Sequence, residues 1–175
     1  MISNTTIITG TVNLYNIYYG NFVLPTYLQQ TRNLIDYFSY NVGNSSWYKT
    51  LSTYYQVNAD GSKTYASTSV VLKRSINIFP GAKRITITDS DIVTGILAQF
   101  NSASKPLPVD TNGIYVVIFR DDFDYDGWLQ SWCGFHSSFA LSDGRMINFI
   151  VVGEPSTAPQ ELQPACVAID SPTVL

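Results

Sequence analysis

Charge is scarce in this chain. Only 13% of its 175 residues are charged, ten are Lys or Arg, and two are Glu. Ten scattered cations cannot build the concentrated basic face that a phosphate backbone requires, which excludes nucleic acid as a partner. The densest basic points, Lys73-Arg74 and Lys83-Arg84, read as solvated strand ends. No apolar run is long enough to cross a bilayer as a helix, so no membrane span is expected. The opening Met1-Ile2-Ser3-Asn4 lacks the basic and apolar regions of a signal peptide, which fits a mature secreted chain and a cytosolic one equally. Histidine occurs once and cysteine twice. That scarcity concentrates the reactive side chains: Trp132-Cys133-Gly134-Phe135-His136 lies just after the acidic run Asp121-Asp122-Phe123-Asp124-Tyr125-Asp126-Gly127.

Apolar residues make up 45% of the chain, enough for a buried core, and the length suits one domain covering 1–175. The remainder leans outward in character: many Ser, Thr, Asn and Tyr with few Lys. Asn4-Thr5-Thr6 and Asn44-Ser45-Ser46 fit the N-glycosylation pattern, although twelve Asn in such a chain produce matches by chance.

Residues 7–19 read as a long strand rich in β-branched and aromatic side chains, closed by Gly20. From Pro25 and Thr26, the three-and-four spacing of Leu28, Thr31, Leu34, Ile35 and Phe38 predicts a helix ending at Gly43. Ser45 or Ser46 caps a short second helix. Asn58-Ala59-Asp60-Gly61-Ser62 predicts a hairpin turn, and residues 70–79 alternate as a half-buried strand ending at Pro80-Gly81. Thr88-Asp89-Ser90-Asp91 reads as a capping box with Asp in place of Glu, opening a helix whose buried stripe is Ile92, Ile96, Leu97 and Phe100. The continuous run Ile114-Tyr115-Val116-Val117-Ile118-Phe119 predicts a central strand buried on both faces. A further strand over 146–152 follows the Ser142-Asp143-Gly144 turn, and 154–175 reads as a Pro-rich loop segment. The order of elements predicts a single α/β (or α+β) domain with a mixed β-sheet and two to three helices.

Several of these segments resemble the EXORDIUM family of phosphate-induced secreted proteins, found in plant cell walls. Val12-Asn13-Leu14-Tyr15-Asn16-Ile17-Tyr18-Tyr19-Gly20 is similar to that family's Val-Asn-x-Tyr-x-Ile-Trp-Tyr-Gly strand, and Ser46-Trp47-Tyr48-Lys49-Thr50 to its Trp-Trp-Lys-Thr helix. Thr88-Asp89-Ser90-Asp91-Ile92 resembles its Thr-Asp-x-Asp-Ile helix start, the strand from Gly113 to Phe119 its Gly-Ile-Tyr-x-Val-Leu, and Cys133-Gly134-Phe135-His136 its Cys-Gly-[Phe/Thr]-His. Val151-Val152-Gly153 and Cys166-Val167-Ala168 sit where the family has Trp-Val-Gly-Asn and Cys-Ala. The motifs keep one order from about residue 11 to about residue 168. The resemblance implies a secreted, extracellular or wall-associated protein with no established catalytic activity.

Two departures from the pattern carry information. The family has a second pair of cysteines four residues before each matched one, and here those positions hold Leu129 and Leu162. One cross-link exchanged for one packing contact implies that the two leucines lie close together. Cys133 and Cys166 then form the remaining disulfide, closing about 33 residues and stabilising the fold by roughly 3 kcal/mol or more; two free buried thiols are the alternative. Family members also continue past the equivalent of Cys166, some with a zinc-peptidase-like His-Glu-Leu-x-Glu helix. That suggests a rival reading in which this chain is the N-terminal half of a metallopeptidase-like enzyme.

Three constellations have their own chemistry. Asp122-x-Asp124-x-Asp126-Gly127 has the opening of a calcium loop, with the Trp128 carbonyl and Gln130 amide as further donors. The place of the bidentate Glu is taken by Cys133, so an acidic solvent-facing turn is the alternative. Calcium is the one cofactor the residues suggest. His136 is a possible site residue, but it lacks a second ligand at zinc spacing and a nucleophile motif, which favours a structural role. Glycosidase chemistry needs two carboxylates across a cleft, whereas Glu154 and Glu161 both fall in the Pro-rich tail. Trp47, Tyr48, Tyr54, Tyr55, Trp128 and Trp132 could stack on sugars, with core packing the better expectation for most. The expectation is therefore a secreted structural or adhesive protein, not an enzyme, whose partners are polysaccharide or its own copies. A carbohydrate-binding module is the other alternative.

Overall fold

The computed structural model describes residues 7–22, 26–79, 85–120, 123–155 and 166. Asn4, Pro80-Gly81, Asp122, Glu161 and Leu162, and with them the proposed Leu129–Leu162 contact, lie outside the described residues, as do the side chains of Asn44 and Asp124.

Nine strands and three α-helices are present among the described residues. They are β1 (Val12–Tyr19), α1 (Thr26–Asn41), α2 (Ser46–Lys49), β2 (Tyr55–Val57), β3 (Lys63–Tyr65), β4 (Val70–Ile78), β5 (Ile85–Ile87), α3 (Asp89–Asn101), β6 (Gly113–Phe119), β7 (Phe123–Tyr125), β8 (Gly134–Ala140) and β9 (Met146–Gly153). Five strands form the main sheet in the order β4-β1-β6-β9-β8. β4, β1, β6 and β9 run parallel, and β8 joins antiparallel as an edge. The fold is thus the α/β domain with a mixed sheet that the order of elements predicts.

Its layering follows from side-chain alternation. Tyr15 and Ile17 of β1, Tyr115, Val117 and Phe119 of β6, and Ile147, Phe149 and Val151 of β9 meet Ile92, Ile96 and Phe100 of α3 on one face. Leu14 and Tyr18 of β1 and Ile118 of β6 point to the other face, where Tyr18 and Ile118 meet Leu28 of α1. β6 is the middle strand of the five and is covered on both sides, as its unbroken apolar run requires. Each fully buried stripe residue of α3 contributes about 1.5–3 kcal/mol of apolar burial.

Local signals set the helix starts. The Thr88 side chain accepts from the Asp91 amide at 3.3 Å, and the Asp91 carboxylate accepts from the Thr88 amide at 2.8 Å. Ser45 caps α2 by accepting from the Tyr48 amide. Beneath α1 the single oxygen Asp36 Oδ1 accepts from Asn16 Nδ2 (2.9 Å), the Tyr18 hydroxyl (2.8 Å) and the Ser75 hydroxyl (2.6 Å). That carboxylate ties α1 to β1 and β4 and satisfies Asn16, which is fully buried.

The long opening strand begins at Val12 rather than at residue 7. Lys73 and Arg74 lie mid-strand on β4, not at its end, where charge protects an exposed sheet edge. Glu154 is not part of a loose tail: it is buried, and its amide donates to the Phe119 carbonyl at 2.8 Å.

Candidate functional site

The N-terminus of α3 and the segment after β6 meet at one end of the sheet. β5 leads directly into the α3 cap and pairs in parallel with β7, placing Thr86 beside Asp124 and Ile87 beside Tyr125. The Tyr125 hydroxyl reaches across and donates to Asp89 Oδ1 at 2.5 Å. Burial, then the Asp89 hydrogen bond and charge, hold this phenol well above the usual tyrosine range.

From Tyr125 the chain makes a tight turn. Gly127 adopts φ +79°, and a Cβ there would stand 2.9 Å from the Trp132 indole nitrogen. The amides of Gln130, Ser131 and Trp132 all donate to the Gly127 carbonyl. Leu129, buried, takes φ +64°, a left-handed conformation that an L side chain adopts at a cost. The turn swings Trp128 inward over the sheet end, against Phe119 with ring centroids 4.7 Å apart. Gly153, the last residue of β9, lies directly beneath this indole: a Cβ there would come within 2.2 Å of Trp128 Cε2. Among the described residues, the buried Trp128 indole N–H has no hydrogen-bond acceptor.

Trp132 faces outward from the same turn. Its indole N–H donates to the Asp126 carbonyl at 3.0 Å. It meets Tyr125 edge-on at 5.0 Å and Phe135 at 5.2 Å, so the three rings brace one another. The next residue, Cys133, is bonded to Cys166, with Cα atoms 5.4 Å apart. This is the disulfide that the family resemblance implies, and it clamps the chain between Trp132 and the start of β8.

The outcome is an open cleft of about 600 Å³. Tyr125, Trp132 and Phe135 give it an aromatic wall. Thr86, Thr88, Asp89 and Ser90 face them with hydroxyls and a carboxylate, and Ile87 and Asp126 complete the lining. The capping box spends the Thr88 hydroxyl on Asp91, accepting from its amide and donating to its carboxylate, and the Thr88 hydrogen bonds hold the Asp91 carboxyl below the usual carboxylate range. The first turn of α3 thus carries two acids of its own, Asp89 and Asp91, and is not prepared for an anion.

A family model described as the phosphate-induced protein 1 conserved region matches residues 3–162 of this sequence. The chain belongs to that family. The match bears out the EXORDIUM resemblance carried by its motifs, and it includes every described residue of the cleft. No curated protein and no solved structure matches the chain.

The structure distributes the other site residues of this family member unevenly. His136 follows Phe135 on β8, so its side chain points to the opposite face of the sheet, where it is exposed. Asp126 and Gln130 are exposed around the Gly127 turn, and Trp128 is buried; with Asp122 and the Asp124 side chain outside the described residues, the calcium loop is not seen whole. Among the described residues, no group of three or more His, Cys, Asp or Glu could hold a metal ion. Of the aromatic residues, Trp128 is core and Tyr48 packs against the Val12, Leu14 and Val70 cluster. Trp47, Tyr54 and Tyr55 are exposed instead of joining the core, because α2 is a single turn and the β2–β3 hairpin forms a separate two-stranded sheet. Sequence reasoning missed Thr86, Tyr125, Asp89 and Phe135 as neighbours of Trp132. The available signal was the capping box itself, which marks the open end of a helix next to an aromatic, acidic turn.

Proposed function

We propose that this chain is an extracellular, non-catalytic carbohydrate-binding module that serves a structural or adhesive role in a cell wall or matrix. The observation that carries this reading is the wall formed by Tyr125, Trp132 and Phe135 opposite Thr86, Asp89 and Ser90, with Thr88 held in the α3 cap. A pyranose has apolar C–H faces and a rim of hydroxyls. Aromatic rings accept the faces, while carboxylates and hydroxyls accept and return hydrogen bonds at the rim. Neutral sugars suit the cleft better than uronates or phosphates, because its two charged lining residues are both acidic.

A binding role fits better than hydrolysis. The two carboxylates of the cleft, Asp89 and Asp126, are both exposed. A glycosidase general acid is instead held in an apolar pocket that keeps its proton. Family membership supports the extracellular setting, and one disulfide suits an oxidising compartment.

The reading is tested by mixing the protein with insoluble glucan or chitin and measuring what stays in solution. Depletion that is abolished in Trp132→Ala supports it. Equal recovery with and without polysaccharide, across both polymers, refutes it.

A further inference from the structure

The three rings of the cleft do not form a flat platform. Tyr125 and Trp132 are inclined at 89°, Trp132 and Phe135 at 90°, and Tyr125 and Phe135 at 57°, with centroids 5.0, 5.2 and 5.8 Å apart. A pyranose face lies flat on one ring. Rings set at such angles line a corner, and a corner suits a compact group that touches more than one of them. An ammonium is such a group, because each ring face carries the negative part of its quadrupole.

Charge around this corner has one sign. Asp89 and Asp126 line the cleft, and among the described residues no Lys, Arg or His does. Asp91, in the same first turn of α3 as Asp89, adds a third carboxylate whose charge is felt at the Tyr125 hydroxyl. Hydrogen bonds from Thr88 favour its ionised form. A helix start carries about half a positive charge, so two carboxylates in that turn reverse its sign. A metal ion needs several converging oxygen ligands, and among the described residues no group of three or more His, Cys, Asp or Glu could hold one. An organic ammonium needs only a carboxylate and a ring face.

We propose that the cleft prefers amino sugars, pyranoses that carry a free ammonium group, over neutral sugars. The proposal rests on the carbohydrate-binding reading and names the class of sugar that the cleft takes best. The sugar ring lies against the aromatic wall, its ammonium enters the corner, and Asp89 and Asp126 neutralise it. A deacetylated chitin fragment has this chemistry. An acetylated fragment or a glucan presents the same ring without the charge. Because both carboxylates are exposed, the added attraction is screened by salt.

The test is calorimetric titration of the oxidised full-length chain with a glucosamine oligomer, its N-acetylated form and a glucose oligomer, all of one length. It is run at about pH 6, below the range of an amino group of this kind. At low salt the glucosamine oligomer binds about tenfold more tightly than either neutral one. The ratio falls toward one in about 1 M salt, where the Debye length is about 3 Å. Asp89→Asn and Asp126→Asn each keep a side-chain carbonyl and remove a charge, and each lowers the ratio about threefold. Asn at 126 also keeps the backbone carbonyl that holds the Trp132 indole. Equal binding of the three oligomers overturns the preference and leaves the carbohydrate-binding reading standing. A preference that neither salt nor these substitutions weaken overturns it as well. So does one that survives Trp132→Ala, which is general attraction of a polycation to a chain of net charge -3. Binding of none of the three overturns both the preference and the reading beneath it.

Discussion

Tyr125 donates its hydroxyl to Asp89 across 36 residues of chain, and this bond joins the aromatic turn to the start of α3. It fixes the width of the cleft, because one partner belongs to the aromatic wall and the other to the wall facing it. Tyr125→Phe should lower stability by about 1–2 kcal/mol, the range for one hydrogen bond to a charged acceptor that water can partly replace. The midpoint of urea unfolding checks this, with an unchanged denaturant slope.

Reduction of the Cys133–Cys166 bond should cost roughly 4 kcal/mol on the chain-entropy account, from its 33-residue separation. Trp132 adjoins Cys133, so its fluorescence should shift toward that of a hydrated indole before the fold is lost. Thermal melts with and without reductant, followed by fluorescence and by circular dichroism, separate the two events.

The glycine beneath Trp128 sets a sharper constraint. Gly153→Ala places a methyl where the indole ring already lies, and overpacking of this sort costs about 1–3 kcal/mol. Trp128→Phe combined with Gly153→Ala should recover part of the loss, measured as a double-mutant cycle in denaturant.

The features that were legible in the sequence are local ones. The Thr88–Asp91 cap is written in four consecutive residues, and β6 in one apolar run long enough for only a doubly covered strand. The cleft was not legible, because it depends on strands too short or too exposed to leave a pattern. β5 and β7 have three residues each. β8 is an edge strand whose seven residues are all exposed or half-buried, and its Gly, His and Ser weaken the β signal. His136 drew attention as the single histidine, yet its neighbours Trp132 and Phe135 are the ones that line the cleft. Glu154 looked like tail because Pro155 follows it; the Phe119 carbonyl at the end of β6 holds its amide.

Buried phenols predict an alkaline limit. Burial, offset in part by the Asp110 amide that donates to the phenol oxygen, pushes the Tyr115 hydroxyl up to about 12, and Tyr15, Tyr18 and Tyr125 are raised further. In the unfolded chain these groups titrate near 10. Between the two values the folded chain holds protons that the unfolded chain has released, so unfolding is favoured as pH rises. Their stabilisation is complete below about pH 10 and is lost as pH climbs through about 12. Denaturation midpoints should be flat below that window and fall steeply within it. Tyrosinate absorbance should show the buried set appearing together with unfolding.

The most direct test of the cleft is a calorimetric titration of soluble neutral oligosaccharides into wild type and Trp132→Ala. Loss of one stacked ring should weaken binding by about tenfold, while Trp47→Ala, altered at an exposed site that does not line the cleft, should bind as wild type does. Binding that Trp132→Ala leaves untouched, or no binding by the wild type to any neutral oligosaccharide, contradicts the account.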